Sequence, residues 1–155
     1  MEDKHKIRIL YLDDEVNNLE SFKANFRKHY EIHVAETASE AEKILVNHDI
    51  EVIITDQRMP NITGVEFLES VIQDYPDPIR MLLTGYADIE AVIDAINKGK
   101  IYHYSTKPFN ADELKITIDK AYEVYALRKE NKDLLEKLLQ VNTQLEFMVR
   151  QKLLS

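Results

Sequence analysis

Cysteine is absent from the 155 residues, while glycine occurs only three times and proline four. Without cysteine there is no disulfide, no thiolate metal site and no cysteine nucleophile. No apolar run approaches the ~18 residues that a membrane-spanning helix needs. The first eight residues are polar and mixed in charge, so neither a signal peptide nor a membrane anchor is expected. The reading is of a cytoplasmic protein. Basic side chains are also in deficit: 20 Lys and Arg against 28 Asp and Glu leave a net charge of −8. No Lys/Arg-rich block is present to neutralise a phosphate backbone, and direct nucleic-acid binding is not expected. The five histidines (His5, His29, His33, His48, His103) show no metal-ligand spacing, and no Gly-rich phosphate loop occurs.

The scarce helix breakers are unevenly placed. Gly64, Gly85 and Gly99 and Pro60, Pro76, Pro78 and Pro108 all precede residue 110, leaving 45 residues that nothing prevents from being helical. The charge divides at the same point: residues 1–110 hold 20 acids and 12 bases, residues 111–155 eight of each. Before residue 110, short apolar runs alternate with stretches of helical periodicity. Strands are expected at Ile7–Leu12, Ile32–Ala35, Val52–Thr55, Arg80–Leu83 and Ile101–Ser105. Helices are expected at Asn17–His29, Ala38–Asn47, Gly64–Asp74 and Asp88–Lys98. Leu19, Phe22 and Phe26 stripe the first helix, and Ile89, Val92, Ile93 and Ile96 the fourth. Gly99 suits a helix C-cap. Strict βα alternation with right-handed crossovers predicts an α/β, doubly wound, five-stranded parallel sheet. Chemistry in such sheets gathers beyond the strands' C-terminal ends.

Those ends carry Asp13, Asp14 and Glu15 after the first strand and Asp56 after the third. Thr84 follows the fourth, and Thr106, Lys107 and Pro108 the fifth. Carboxylates from two strands meeting in one crevice repel by roughly 4 kcal/mol per pair at about 4 Å and an effective dielectric near 20. A cation is therefore required, and hard oxygen donors without His or Cys favour Mg²⁺. Lys107 adds a second positive charge, and Thr84 a hydroxyl in a turn that a ligand can approach. Together these pieces describe a phosphoryl-transfer site with an Asp nucleophile. Asp56, alone after Val52-Ile53-Ile54, is the best nucleophile, and the adjacent Asp13 and Asp14 suit a metal.

The motifs Leu-Asp-Asp-Glu (12–15), Ile-Ile-Thr-Asp-Gln-Arg-Met-Pro (53–60), Leu-Leu-Thr-Gly-Tyr-Ala-Asp (82–88) and Tyr-Ser-Thr-Lys-Pro-Phe (104–109), in this order, resemble the receiver domains of bacterial two-component response regulators. The resemblance covers about residues 7–125 and implies a flavodoxin-like, CheY-like sheet of strand order 2-1-3-4-5. It implies that Asp56 accepts a phosphoryl group from a histidine kinase or phosphotransfer protein. It further implies that Asp14, Asp56 and the Arg58 carbonyl bind Mg²⁺ directly, Asp13 through water, and that Thr84 and Lys107 grip the phosphoryl oxygens. Tyr104 resembles the aromatic switch that turns inward on phosphorylation, and the Lys107–Pro108 bond would be cis. Arg58 and Tyr86 depart from the commonest residues at places resembling those that control access of hydrolytic water, and both are expected to slow loss of the phosphoryl group. The wording around Thr84 and Lys107 looks most like receivers joined to HD-type cyclic-dinucleotide phosphodiesterases, nucleotide cyclases or certain transcription activators.

Residues 1–125 are thus expected to form the receiver and 126–155 a coiled-coil extension continuous with its last helix, about 68 Å over the 45 residues from Ala111 at 1.5 Å each. Val124, Asn131, Leu138 and Leu145 fall at heptad position a, and Leu127, Leu134, Val141 and Met148 at d. Asn131 would set parallel register in a homodimer, and Glu123 at g can meet Arg128 at e of the partner helix. Lys152, at the next a position, weakens the seam. Leu135, Leu139, Val149 and Leu153 widen the apolar face, which leaves open a four-helix arrangement, a partner helix, or folding back onto the receiver. Three functions are to be separated: a signalling switch, an aspartate-nucleophile phosphohydrolase, and a structural dimeriser. Arg58 stands where such hydrolases place a general-acid Asp, and the intact acidic set argues against a purely structural role.

Overall fold

Short runs of four to six strand residues, each followed by a helical segment, build the domain. The computed structural model describes residues 5–85 and 89–155. Strands β1 (Arg8–Leu12), β2 (Glu31–Ala35), β3 (Val52–Thr55), β4 (Ile79–Thr84) and β5 (His103–Thr106) alternate with helices α1 (Val16–Phe26), α2 (Ala38–Asn47), α3 (Gly64–Ile72), α4 (Ile89–Asn97) and α5 (Ala111–Leu154). All strand pairs are parallel and their order is β2-β1-β3-β4-β5. This is the doubly wound architecture expected from the alternation, with the topological reversal between β1 and β3.

Because successive strand residues face opposite sides, β1 divides its run between two cores. Ile9 and Tyr11 join Val52, Ile54, Met81 and Leu83 beneath α1 and α5, while Leu10 and Leu12 join Ile53 and Leu82 beneath α2, α3 and α4. Phe22 and Phe26 fill the first core, their rings 4.8 Å apart, with Phe109 5.8 Å from Phe26. Burying each such side chain stabilises by roughly 1.5–3 kcal/mol. The starts of α2, α3 and α5 are fixed by side-chain caps: Thr37 Oγ1 accepts from the Glu40 amide, Thr63 Oγ1 from Glu66 and Asn110 Oδ1 from Glu113.

Several boundaries differ from the sequence expectation. β5 starts at His103 rather than Ile101, because Gly99 (φ 72°) folds the chain back and the Lys100 and Ile101 amides donate to Ala95 O. β4 extends to Ile79 and Thr84, which pair with Val52 and Thr106. α1 stops at Phe26, whose carbonyl accepts from both His29 and Tyr30. α3 stops at Ile72, ahead of Tyr75-Pro76. In α4, Val92 is buried and Ile96 half-buried, but Ile89 and Ile93 are exposed, so the expected stripe is only partly core. Asp88, expected to open α4, lies outside the described residues, as does Tyr86.

Helix α5 is 44 residues long, unbroken across residue 125. Leu114, Ile118, Ala121 and Tyr125 bury one face in the domain, and beyond Ala126 every residue is exposed. Val124 is a correction to the seam: it is half-buried against the domain's own core, so the free apolar stripe starts at Leu127. Its members are Leu127, Leu134, Leu138, Val141, Leu145 and Met148, all exposed, with Asn131 also exposed. Lys132 Nζ reaches Asp77 at 3.7 Å across the edge where β4 begins. Among the described residues, no helix is long and apolar enough to cross a membrane.

Candidate functional site

The C-terminal ends of β1, β3 and β5 converge. Asp13 follows β1 and is fully buried. Its carboxylate accepts from the Tyr11 hydroxyl (2.8 Å), the Glu15 amide (3.0 Å), Asn18 Nδ2 (3.1 Å) and Lys107 Nζ (2.8 Å). Asp14 beside it is exposed. Asp56 follows β3, held by its amide donating to Leu12 O (2.9 Å). Its Oδ1 accepts from the Gln57 amide (2.8 Å), and its Oδ2 lies 3.2 Å from Lys107 Nζ. Lys107 follows β5 and reaches the site from a cis Lys107–Pro108 bond, its amide donating to Thr84 O at 2.8 Å. Thr84 itself is buried at the end of β4.

One oxygen from each of Asp13, Asp14 and Asp56 lies within 4.8 Å of the others. At that spacing each pair of ionised carboxylates repels by about 3.5 kcal/mol for an effective dielectric near 20. Among the described side chains that meet here, three carboxylates against the Lys107 ammonium leave two negative charges, the charge a divalent cation neutralises. The donors are all hard oxygens, one set exposed through Asp14, and this set fits Mg²⁺. Burial foremost, and then the charge of Asp13, hold the Asp56 carboxyl above its ordinary range, against Lys107 and the Gln57 amide pulling it down. Burial draws the Lys107 ammonium downward, but its bonds and charge pairing with Asp13 and Asp56 outweigh this, and it stays above the usual lysine value.

Of the residues singled out from sequence, Asp13, Asp14, Asp56 and Lys107 meet directly, and Thr84 joins through the main chain of Lys107. Tyr104, on β5, is half-buried and packs against the α2–α3–α4 core. Arg58 is exposed. Three contributors were not anticipated. Tyr11 reads as a core aromatic, yet its hydroxyl bonds Asp13. Asn18, on α1, reaches the same carboxylate. Gln57 is buried and supplies α3 with two acceptors, its carbonyl taking the Gly64 amide (3.0 Å) and its side chain the Val65 amide (2.9 Å). A polar residue directly after Asp56, in a chain whose next helix starts at a glycine, was the available signal for the last.

This fold and acidic site define a class, and comparison with known proteins agrees: residues 9–119 match the response regulator receiver domain, and the chain belongs to that family. It is 40% identical over 122 residues to the hydrogenase transcriptional regulatory protein HoxA of Bradyrhizobium diazoefficiens, covering 79% of this chain and 25% of that protein. A solved structure of adenylate cyclase from Rhodopirellula baltica superposes with a TM-score of 0.82 at 28% identity, covering 86% of this chain and 99% of that one. The signal receiver domain of an HD domain-containing protein from Pseudomonas fluorescens Pf-5 gives 0.74 at 29% identity, covering 79% and 98%. The chain spans about a quarter of the length of the curated relatives it matches.

Proposed function

We propose that the protein is a cytoplasmic phosphoaspartate switch whose output passes through the long α5 helix. The observation that carries the reading is Lys107 Nζ lying between Asp13 Oδ2 and Asp56 Oδ2, at 2.8 and 3.2 Å, beside the exposed Asp14. An Asp56 oxygen attacks the phosphorus of a phosphohistidine on a kinase or phosphotransfer protein. The P–N bond breaks, its electron pair leaves with the imidazole nitrogen, which takes up a proton, and an acyl phosphate forms on Asp56. Bound Mg²⁺ supplies charge neutralisation for the phosphoryl oxygens. Asp14, Asp56 and the Arg58 carbonyl would hold it directly and Asp13 through water. Lys107 and Thr84 take the remaining phosphoryl oxygens. Tyr104 and the start of α5, four residues past Lys107, then shift together. Arg58 and Tyr86 slow hydrolysis of the acyl phosphate, and no multiple turnover of phosphate esters is expected.

The tail is read as a parallel homodimeric coiled coil, its free seam running from Leu127 to Met148. Tyr125 and Lys132 both occupy heptad position b, and both face the domain, the first buried in it and the second paired with Asp77. From Leu127 to Met148 the a and d positions are exposed, leaving that part of the seam open to a second copy. Placing Asn131 opposite Asn131 sets the helices parallel.

A second reading concerns the whole protein. The relatives in hand are a hydrogenase transcriptional regulator and receivers of cyclase and HD-domain proteins, and the chain covers only about a quarter of the first. That favours a receiver that serves a larger effector.

Light scattering with Mg²⁺, with and without beryllofluoride, tests both parts, with Asp56→Asn as control. A beryllofluoride-dependent change of mass or hydrodynamic radius in the wild type alone is expected. No response to beryllofluoride in any observable would overturn the switch, and a monomer throughout would overturn the coiled coil.

A further inference from the structure

The Tyr11 side chain is 1% exposed, and its hydroxyl spends its hydrogen on Asp13 Oδ2 at 2.8 Å. That same oxygen accepts from Asn18 Nδ2 at 3.1 Å and Lys107 Nζ at 2.8 Å, whereas Oδ1 takes the Glu15 amide. Three donors crowd an oxygen that offers about two lone pairs, so each weakens the hold of the others. Asn18 also reaches Glu15 Oε2 at 3.2 Å, but of the three donors Lys107 is the one whose second carboxylate is Asp56, Oδ2 at 3.2 Å. We propose that Tyr11 is a positioning residue for phosphoryl acceptance: its hydroxyl occupies part of Asp13 Oδ2 and thereby biases the Lys107 ammonium toward Asp56 and the phosphoryl oxygen arriving there.

The inference rests on Asp56 being the phosphoacceptor. It has two consequences of opposite sign. Without the hydroxyl, Asp13 carries more undispersed charge and draws cations harder, so Mg²⁺ binds more tightly while Lys107 is held back from Asp56. Tyr11→Phe keeps the ring that packs on Phe22 at 4.5 Å and removes only the donor. Losing one shared hydrogen bond to a charged group corresponds to about 3- to 10-fold in each equilibrium or rate.

The experiment measures Mg²⁺ affinity by calorimetry without phosphodonor, and the rate of phosphorylation by acetyl phosphate at saturating Mg²⁺ by intact-mass spectrometry, with Asp56→Asn as blank. The expected result is Mg²⁺ bound about 3- to 10-fold more tightly and phosphorylation slowed by about the same factor. Asn18→Ala, which removes another donor from the same oxygen, should move both in the same directions. Weakening of both, or no change in either, would mean that Tyr11 only packs, and would overturn the proposal. If the wild type takes up no phosphoryl group, the phosphoacceptor reading fails instead, and the Mg²⁺ affinity still decides: unchanged or weaker binding in Tyr11→Phe overturns the role given to its hydroxyl.

Discussion

Replacing Gly64 with alanine places a methyl group 2.2 Å from the carbonyl oxygen of Asp56 and 2.8 Å from Leu82 Cδ2. Neither neighbour yields easily, since one is backbone and the other lies inside the core. The N-terminus of α3 must retreat by about 1 Å to restore ordinary contact, an overpacking cost of about 1–3 kcal/mol. Retreat also stretches the Gly64 and Val65 amide bonds to Gln57, now 3.0 and 2.9 Å, at about 1 kcal/mol each. Reduced entropy of the unfolded chain returns about 0.4–1 kcal/mol, leaving a net loss of about 2–4 kcal/mol. For a urea slope of about 2 kcal/mol per molar, the midpoint should fall by about 1–2 M. Gly85→Ala is the matched control, because a methyl there meets nothing within 4 Å, and its midpoint should stay or rise. Equal midpoints for the two variants would refute the claim that α3 is seated directly on the backbone of Asp56.

Tyr30→Phe should cost about 1 kcal/mol in urea unfolding, since the Tyr30 hydroxyl donates to Asp119 Oδ1 at 2.7 Å; an unchanged midpoint would mean that this bond does not tie α5 to the domain. The absence of native cysteine makes single-cysteine scanning of the tail unambiguous: Asn131→Cys and Leu138→Cys should form disulfide-linked dimers under mild oxidation and Lys132→Cys should not, whereas equal yields at all three would exclude the proposed seam. Leu138→Asp should leave the protein monomeric by light scattering without lowering the receiver's unfolding midpoint, because Leu138 is exposed and far along the tail. Arg58→Ala should speed decay of the phosphorylated protein several-fold, measured by loss of the added mass after the donor is removed; an unchanged rate would release Arg58 from any role in shielding the acyl phosphate.

The limits of β3 and α2 were legible to the residue. In β3 an uninterrupted buried run stops at a carboxylate, and in α2 a threonine cap marks the start and an extended His48 the end. Asp13, Asp14, Asp56 and Lys107 were legible for a related reason: polar groups at the ends of buried strands have one crevice to share. Ile89 and Ile93 mislead because a 3.6-residue pattern records that a face is apolar and not what covers it. The same ambiguity attaches to Val124, whose place in the heptad hides a contact with its own domain. Tyr11 and Asn18 were invisible as site residues because their roles depend on where a single donor points, a matter settled only when α1 and β1 are assembled.

Helix α5 starts four residues after Lys107 and leaves the domain past Tyr125, where Lys132 touches Asp77 at the far edge of the sheet. The 29 residues beyond Tyr125, through Leu154, make an arm of about 44 Å at 1.5 Å per residue, rooted at one end. Simple leverage then applies: a tilt of about 5° at the root, small enough for side-chain repacking to absorb, sweeps the tip through about 4 Å. On the proposed coupling of Asp56 to α5, displacements too small to see at the carboxylates would become distances comparable to a side chain at the other end of the rod.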